Sequence, residues 1–262
     1  MKKHTLAIVG CGKLAHIIVD ALNQDLLTDY QFIGAYSRTK AKAISIAEKV
    51  IGHKAKPCDS IDELLALKPD YIVEMASPAA LLEFAIPALK NGSSIVTLSI
   101  GALADKDFYE KVEIAARENN TRIHLASGAI GGFDILRTAT LMGNCMATFD
   151  TEKGPNSLKN TAVYNEALQT EKREVFKGDA VQAIELFPTR VNVAVAAALA
   201  SVGAEQMKVS MTSTPGFVGD NHRIEIKNEQ IHAVIDVYSA TAQIAGWSVV
   251  NTLRNITSPI VF

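Results

Sequence analysis

The stretch Thr5-Leu6-Ala7-Ile8-Val9-Gly10-Cys11-Gly12-Lys13-Leu14-Ala15 decides how the first half of the chain is read. A short apolar, strand-like run meets two glycines. Helical spacing follows, with apolar side chains at Ile17, Ile18, Ala21 and Leu22. Strand, tight turn and helix in that order is the setting in which a G-x-G-x-x-G/A pattern holds a pyrophosphate. Gly10 permits the turn. Gly12 lets the backbone approach a phosphate with no Cβ in the way, and the small Ala15 lets helix and strand pack closely. The helix start, at Lys13 and Leu14, offers unpaired N–H groups and partial positive charge to an anion. The stretch predicts a dinucleotide-binding unit; the bland alternative is a tight turn with no ligand.

Strands and helices alternate outward from this point. FIGAY (32–36), YIVEM (71–75), SIVTL (94–98) and RIHL (122–125) read as strands. Residues 39–50, 78–91 and 106–119 read as helices, the second of them stopped by Asn91-Gly92. Ser60, before Ile61-Asp62-Glu63, reads as a helix N-cap. This alternation predicts βαβ units and an N-terminal α/β, doubly wound parallel sheet of the Rossmann type. The texture changes at the glycine-rich break 128–132. Strand-like runs follow at 146–150, 161–165, 208–213 and 223–227, with helical runs at 180–186 and 191–201. They predict a second, smaller α+β domain on a mixed or antiparallel sheet. The tail 239–255 reads as helical.

The end of the second strand selects the ribose. A carboxylate there would bond a 2′-hydroxyl and repel a 2′-phosphate. This chain has Ser37-Arg38-Thr39, which welcomes a phosphate, so NADP is favoured over NAD. If Arg38 only stacks on adenine, both cofactors bind.

The 262 residues allow one large domain or two modest ones, at roughly 100–200 residues each. Hydrophobic residues make up 48% and charged residues 21%, a globular balance that excludes a disordered chain. A net charge of −2 gives no basic excess to favour nucleic acid or an anionic membrane. Cys11, Cys58 and Cys145 are widely spaced, which fits a reducing cytoplasm and leaves no thiolate metal site. Signal-peptide and membrane-helix patterns are not expected. HExxH, GxSxG and Walker A motifs are missing, which disfavours zinc hydrolysis, serine hydrolysis and P-loop chemistry.

Several stretches together resemble one family along nearly the whole chain, that of L-aspartate dehydrogenase. They are GCGKLA (10–15), EMASP (74–78), LSIGALAD (98–105) and SGAIGGFD (127–134). KGDAVQAIELFPTRVNVAVAAALA (177–200), GDNHRIEI (219–226) and SVVNTLRN (248–255) complete the set. The resemblance implies a Rossmann domain at 1–126 with 240–262, whose last helix packs back on it. An α+β substrate and dimerisation domain at 127–239 is implied too. The architecture is similar to that of dihydrodipicolinate reductase and homoserine dehydrogenase. The catalytic histidine falls on His222, in Asn221-His222-Arg223-Ile224. The further cofactor contacts fall on Ala129 of SGAIGG and Asn192 of NVA. A homodimer is implied as well. One stretch departs from the family: where members often carry NPKTS before the last helix, this chain has Tyr238-Ser239-Ala240-Thr241-Ala242.

Oxidative deamination of an amino acid needs a group titrating near neutrality, which favours histidine. His4, His16, His53, His124, His222 and His232 are available. His222 follows the loop 216–220, which could bring it into a cleft; His124 is second choice. A dicarboxylic substrate needs cations, and Arg173, Lys177, Arg190 and Arg223 are candidates in the second half. Glu74 and Asp105 follow strands where ligands bind in parallel sheets, or merely cap helices. The readings are therefore an NAD(P)-dependent dehydrogenase of L-aspartate, one of another amino or oxo acid, or a nucleotide-binding sensor without turnover.

Overall fold

Six strands alternate with helices in the first part of the chain. They are β1 (His4–Val9), α1 (Lys13–Asn23), β2 (Tyr30–Tyr36), α2 (Lys40–Lys49), β3 (Lys56–Cys58) and α3 (Ile61–Ala66). Next come β4 (Tyr71–Glu74), α4 (Pro78–Lys90), β5 (Ser94–Thr97), α5 (Lys106–Glu118) and β6 (Ile123–Leu125). The computed structural model describes residues 3–188 and 191–262. The second part holds α6 (Phe133–Leu141), β7 (Met146–Lys153), β8 (Arg173–Asp179), α7 (Ala180–Leu186) and α8 (Asn192–Leu199). β9 (Lys208–Ser213), β10 (Asp220–Lys227), β11 (His232–Ser239) and α9 (Gln243–Thr257) complete it. The chain divides into two compact units, Met1–Ala126 with Ala245–Phe262, and Ser127–Ile244.

The first unit is a parallel sheet in the order β3-β2-β1-β4-β5-β6. Strand order reverses between β1 and β4, so their carboxyl ends flank the crevice where doubly wound sheets bind ligands. The strands are apolar because both faces are covered: Leu6, Ala7, Ile8, Ile72, Val73, Ile95 and Val96 are wholly buried. The helix ends follow local chemistry. Ser60, Ser77 and Asp105 accept from the backbone N–H three residues on, at 3.1, 3.2 and 2.9 Å. Asn91 ends α4, and Gly92 turns the chain at φ +89°. Helix α9 belongs to this unit: Tyr30 donates its hydroxyl to the Leu253 carbonyl at 2.8 Å.

The second unit is a five-stranded mixed sheet, β11-β10-β7-β9-β8, with only β7 and β9 parallel. Several expectations need correction here. Residues 161–165 form a turn, although Thr-Ala-Val-Tyr-Asn has strand-like composition. Thr161 donates both its N–H and its hydroxyl to the Leu158 carbonyl, and Tyr164 N–H bonds Thr161, so local bonds displace a ladder. Strands β3, β8 and β11 were not apparent: one is three residues long, and the others carry charged or polar side chains on their outer face. The last helix starts at Gln243, because Ser239 still pairs with Asp220 in the sheet. Strand β10 begins at Asp220 rather than Arg223, so His222, which follows the loop, lies inside the strand.

Candidate active site

The nucleotide cradle is mostly backbone. Gly10 has φ +94°, and a Cβ there would lie 2.6–2.7 Å from backbone atoms of Met75 and Ala76, so the turn is pressed against the end of β4. Gly12 is the opposite case. Nothing stands within 4 Å of a Cβ built on it, so open space lies above the start of α1. No side chain caps that helix, which leaves the first N–H groups, including those of Lys13 and Leu14, free to meet an anion. Ala15 is fully buried, the close contact its small size permits. A backbone turn, a Cβ-free approach and an uncapped helix start fit a dinucleotide's pyrophosphate.

The cavity beside this turn has a volume of about 310 Å³, and Gly10, Gly12, Ser37, Arg38, Thr39 and Lys42 are among its lining residues. Arg38 and Lys42 bring two cations to it, and Glu83 of α4 brings one carboxylate. Lys42 escaped the sequence reading; its signal is the i, i+4 spacing from Arg38. Cys11 donates its thiol to the Tyr36 carbonyl at 3.4 Å, and burial pushes its pKa up to about 12, so it is a packing residue.

Glu74 is not a ligand group. It is wholly buried and accepts from Ala76 N–H, Ser77 N–H and the Ser99 hydroxyl on Oε1, at 2.7, 3.0 and 2.8 Å. The Thr97 hydroxyl and Ser99 N–H reach Oε2 at 2.5 and 3.3 Å. Burial raises its pKa and these donors oppose the rise. Its role is to tie the loop under Gly10 to the end of β5. Asp105 caps α5.

The second unit carries His222, which is 3% exposed and lies 5.5 Å, ring to ring, from Phe149. Burial is the main cause that lowers its pKa to about 4; the Lys153 ammonium adds to this and Asp220 opposes it. The imidazole is therefore neutral near pH 7. Its Nδ1 is buried and has no hydrogen-bond partner among the described residues. Ala129 is half-buried in the turn before α6, and Asn192 is half-buried as the first residue of α8. Gly10, Gly12, Ser37 and Arg38 thus share one cavity of the first unit, which Lys13, Leu14 and Ala15 do not line, while His222, Ala129 and Asn192 belong to separate elements of the second. His124 lies in β6 with a pKa lowered mainly by burial.

Sequence-derived cations fare differently. Arg173 and Arg223 are spent on surface ion pairs with Glu171 and Asp236, and Lys177 is exposed. Arg190 lies outside the described residues. The cation next to His222 is Lys153, which sequence reasoning missed. Among the described residues no cluster of three His, Cys, Asp or Glu could hold a metal ion, and no helix is long and apolar enough to cross a membrane.

Two families match successive parts of the chain. Residues 10–126 match the NAD-binding domain of homoserine dehydrogenase, and residues 134–256 match the C-terminal region of aspartate dehydrogenase. L-aspartate dehydrogenase of Methanococcus maripaludis is 32% identical over 97% of both chains. That of Methanocella arvoryzae is 32% identical over the same shares. The crystal structure of aspartate dehydrogenase from Thermotoga maritima superposes with a TM-score of 0.77, at 27% identity, over 99% of each chain. With a nicotinamide-nucleotide cradle in one unit and this resemblance end to end, the chain belongs to the L-aspartate dehydrogenase family.

Proposed function

We propose that this protein catalyses the oxidative deamination of L-aspartate, or the reverse reductive amination, with a nicotinamide dinucleotide. The observation that carries the reading is the buried, neutral His222 in a chain that also holds a complete dinucleotide cradle. Gly10, Gly12 and the N–H groups of Lys13 and Leu14 hold the pyrophosphate, with Ala15 setting the closeness of the helix. Ser37, Arg38 and Lys42 receive the adenine ribose, and the two cations favour NADP over NAD. Ala129 and Asn192 contribute further cofactor contacts. When bound, the nicotinamide supplies hydride exchange with the substrate's Cα.

The chain's own residues manage the protons. Neutral His222 accepts a proton at Nδ1 from the substrate's α-ammonium, which leaves the nitrogen lone pair able to form the imine. Once that proton has passed to solvent, the same nitrogen accepts a proton from the water that adds to the iminium carbon and returns it to the departing amine, so that ammonium and oxaloacetate result, with the first proton left in solvent. An anionic substrate beside the imidazole raises its low pKa and makes it a better acceptor.

The 1–126 and 240–262 segments serve the nucleotide, and 127–239 serves the substrate and a homodimer contact. Cytoplasmic residence is supported by three free thiols. A second reading, another amino or oxo acid as substrate, is favoured by the stretch Tyr238–Ala242, which lacks the family's lysine. Turnover is tested by following nicotinamide absorbance with L-aspartate, other amino acids, and oxo acids plus ammonium. L-aspartate with NADP is expected to give the highest kcat/KM. A higher value for another substrate selects the second reading, and binding without turnover of any substrate selects a sensor.

A further inference from the structure

Register places the side chains of the second sheet's buried face in rows across it. One row is Ser213, Lys153, Asp220 and Ser239, on β9, β7, β10 and β11, with the exposed Arg173 of β8 at its end. The next holds Met211, Thr151, His222 and Val237, and the one after it Val209, Phe149, Ile224 and Ile235. The face is thus apolar at one end and polar at the other, with His222 at the border.

Lys153 stands at the centre of the polar row. Its Nζ lies 2.5 Å from Asp220 Oδ1, and its side chain is only 8% exposed while that of Asp220 is 33% exposed. A buried ion pair seldom adds net stability over an apolar pair of similar volume, so its presence calls for another reason. The neighbouring atoms supply one. Thr151 Oγ1, Ser213 Oγ and His222 Nδ1 are the buried side-chain polar atoms without a hydrogen-bond partner among the described residues. All three fall in the two rows around Lys153, although buried polar groups are nearly always paired. An ammonium and two hydroxyl donors make a receiver for a carboxylate, and the imidazole beside them a receiver for a proton.

We propose that Lys153, with the Thr151 and Ser213 hydroxyls, binds the side-chain carboxylate of the substrate and so makes the site select a dicarboxylate. This rests on the aspartate reading above. In the free enzyme Asp220 occupies Lys153. The incoming carboxylate replaces Asp220, whose partly exposed side chain turns to solvent. The exchange keeps the buried ammonium paired throughout and brings negative charge to His222.

The test uses the full-length enzyme loaded with nucleotide, in wild-type, Lys153→Met and Asp220→Asn forms. Reductive amination is measured with oxaloacetate and with pyruvate, which lacks the second carboxylate, and succinate binding is measured by calorimetry. Lys153→Met is expected to lower kcat/KM for oxaloacetate about 100-fold, mainly through KM, with the pyruvate value changed less than about threefold. Asp220→Asn removes the competitor and is expected to tighten succinate about three- to tenfold, which loss of a structural ion pair would not do. An unchanged preference for oxaloacetate over pyruvate in folded Lys153→Met overturns the proposal, as does unchanged or weaker succinate binding in Asp220→Asn. If Lys153→Met does not fold, Asp220→Asn decides alone. If the wild type turns over neither aspartate nor oxaloacetate, the aspartate reading fails, while the succinate titrations still decide the role of Lys153.

Discussion

The two candidate sites are built in opposite ways. In the first unit, the turn at Gly10–Ala15 is made of backbone, and its defining features are atoms that are missing: no Cβ at Gly10 or Gly12, and no side chain capping α1. In the second, the site is made of side chains, Thr151, Lys153, Ser213, Asp220 and His222, gathered from three strands. A cofactor common to many reactions can be held by peptide dipoles, which need only a local turn. A particular substrate needs charges and hydroxyls at particular places, which a rigid sheet supplies by register.

The contrast can be broken first at Gly10. Gly10→Ala adds left-handed strain and a backbone clash, and is expected to cost about 2–6 kcal/mol of stability, read as a urea midpoint, and to abolish nucleotide binding. Gly12→Ala sharpens the point: with nothing within 4 Å to strike, it should keep the wild-type midpoint and still weaken nucleotide binding. If both variants lose only stability, the cradle assignment is wrong.

Glu74→Ala tests whether the first unit's buried carboxylate is scaffold. It strands the donors at Ala76, Ser77, Thr97 and Ser99 and is expected to cost at least about 3 kcal/mol in chemical denaturation. A normal midpoint with lost turnover would make it a catalytic group instead. Arg38→Ala is smaller: NADP affinity should fall about 10–100-fold, the worth of a charge-assisted bond, while NAD affinity stays. Equal losses for both nucleotides would mean that Arg38 only stacks on adenine.

The last effect concerns pH. The pKa of His222 is near 4 in the folded chain against an ordinary 6.5. Between those values the unfolded chain binds the extra proton. The stability of the neutral form is therefore complete above pH 6.5 and is lost as pH falls toward 4, at up to about 1.4 kcal/mol per pH unit. Replacing His222 by Gln should flatten the wild-type slope of unfolding free energy between pH 4 and 6.5. Parallel slopes would show that the imidazole is not held neutral.

The same contrast explains what could be read in the sequence. The parallel sheet announces itself through apolar strands buried on both faces, and the cradle through a glycine pattern contained within six residues. His222 came from family resemblance, since a lone histidine in Asp-Asn-His-Arg-Ile carries no local signature. Lys153 was invisible because Thr-Glu-Lys-Gly reads as a charged strand end. Only pairing with Asp220, 67 residues away, puts it beside His222. Strands β8 and β11 were missed for a related reason: β8 exposes charged side chains, β11 exposes His232 and Asp236 beside Val234 and Tyr238, and each lies at an edge of the sheet, where pairing rather than composition defines a strand. The run 161–165 went the other way, with strand-like residues captured by local turns.

The central claim is that one unit holds the nucleotide while His222 of the other moves the protons. It is tested most directly by measuring nucleotide affinity and L-aspartate turnover on the same preparation of His222→Ala. Nucleotide affinity is expected to match the wild type within about twofold, while kcat falls by about 10²–10⁴, the scale of a lost acid/base group. Wild-type turnover in the folded variant would contradict the account.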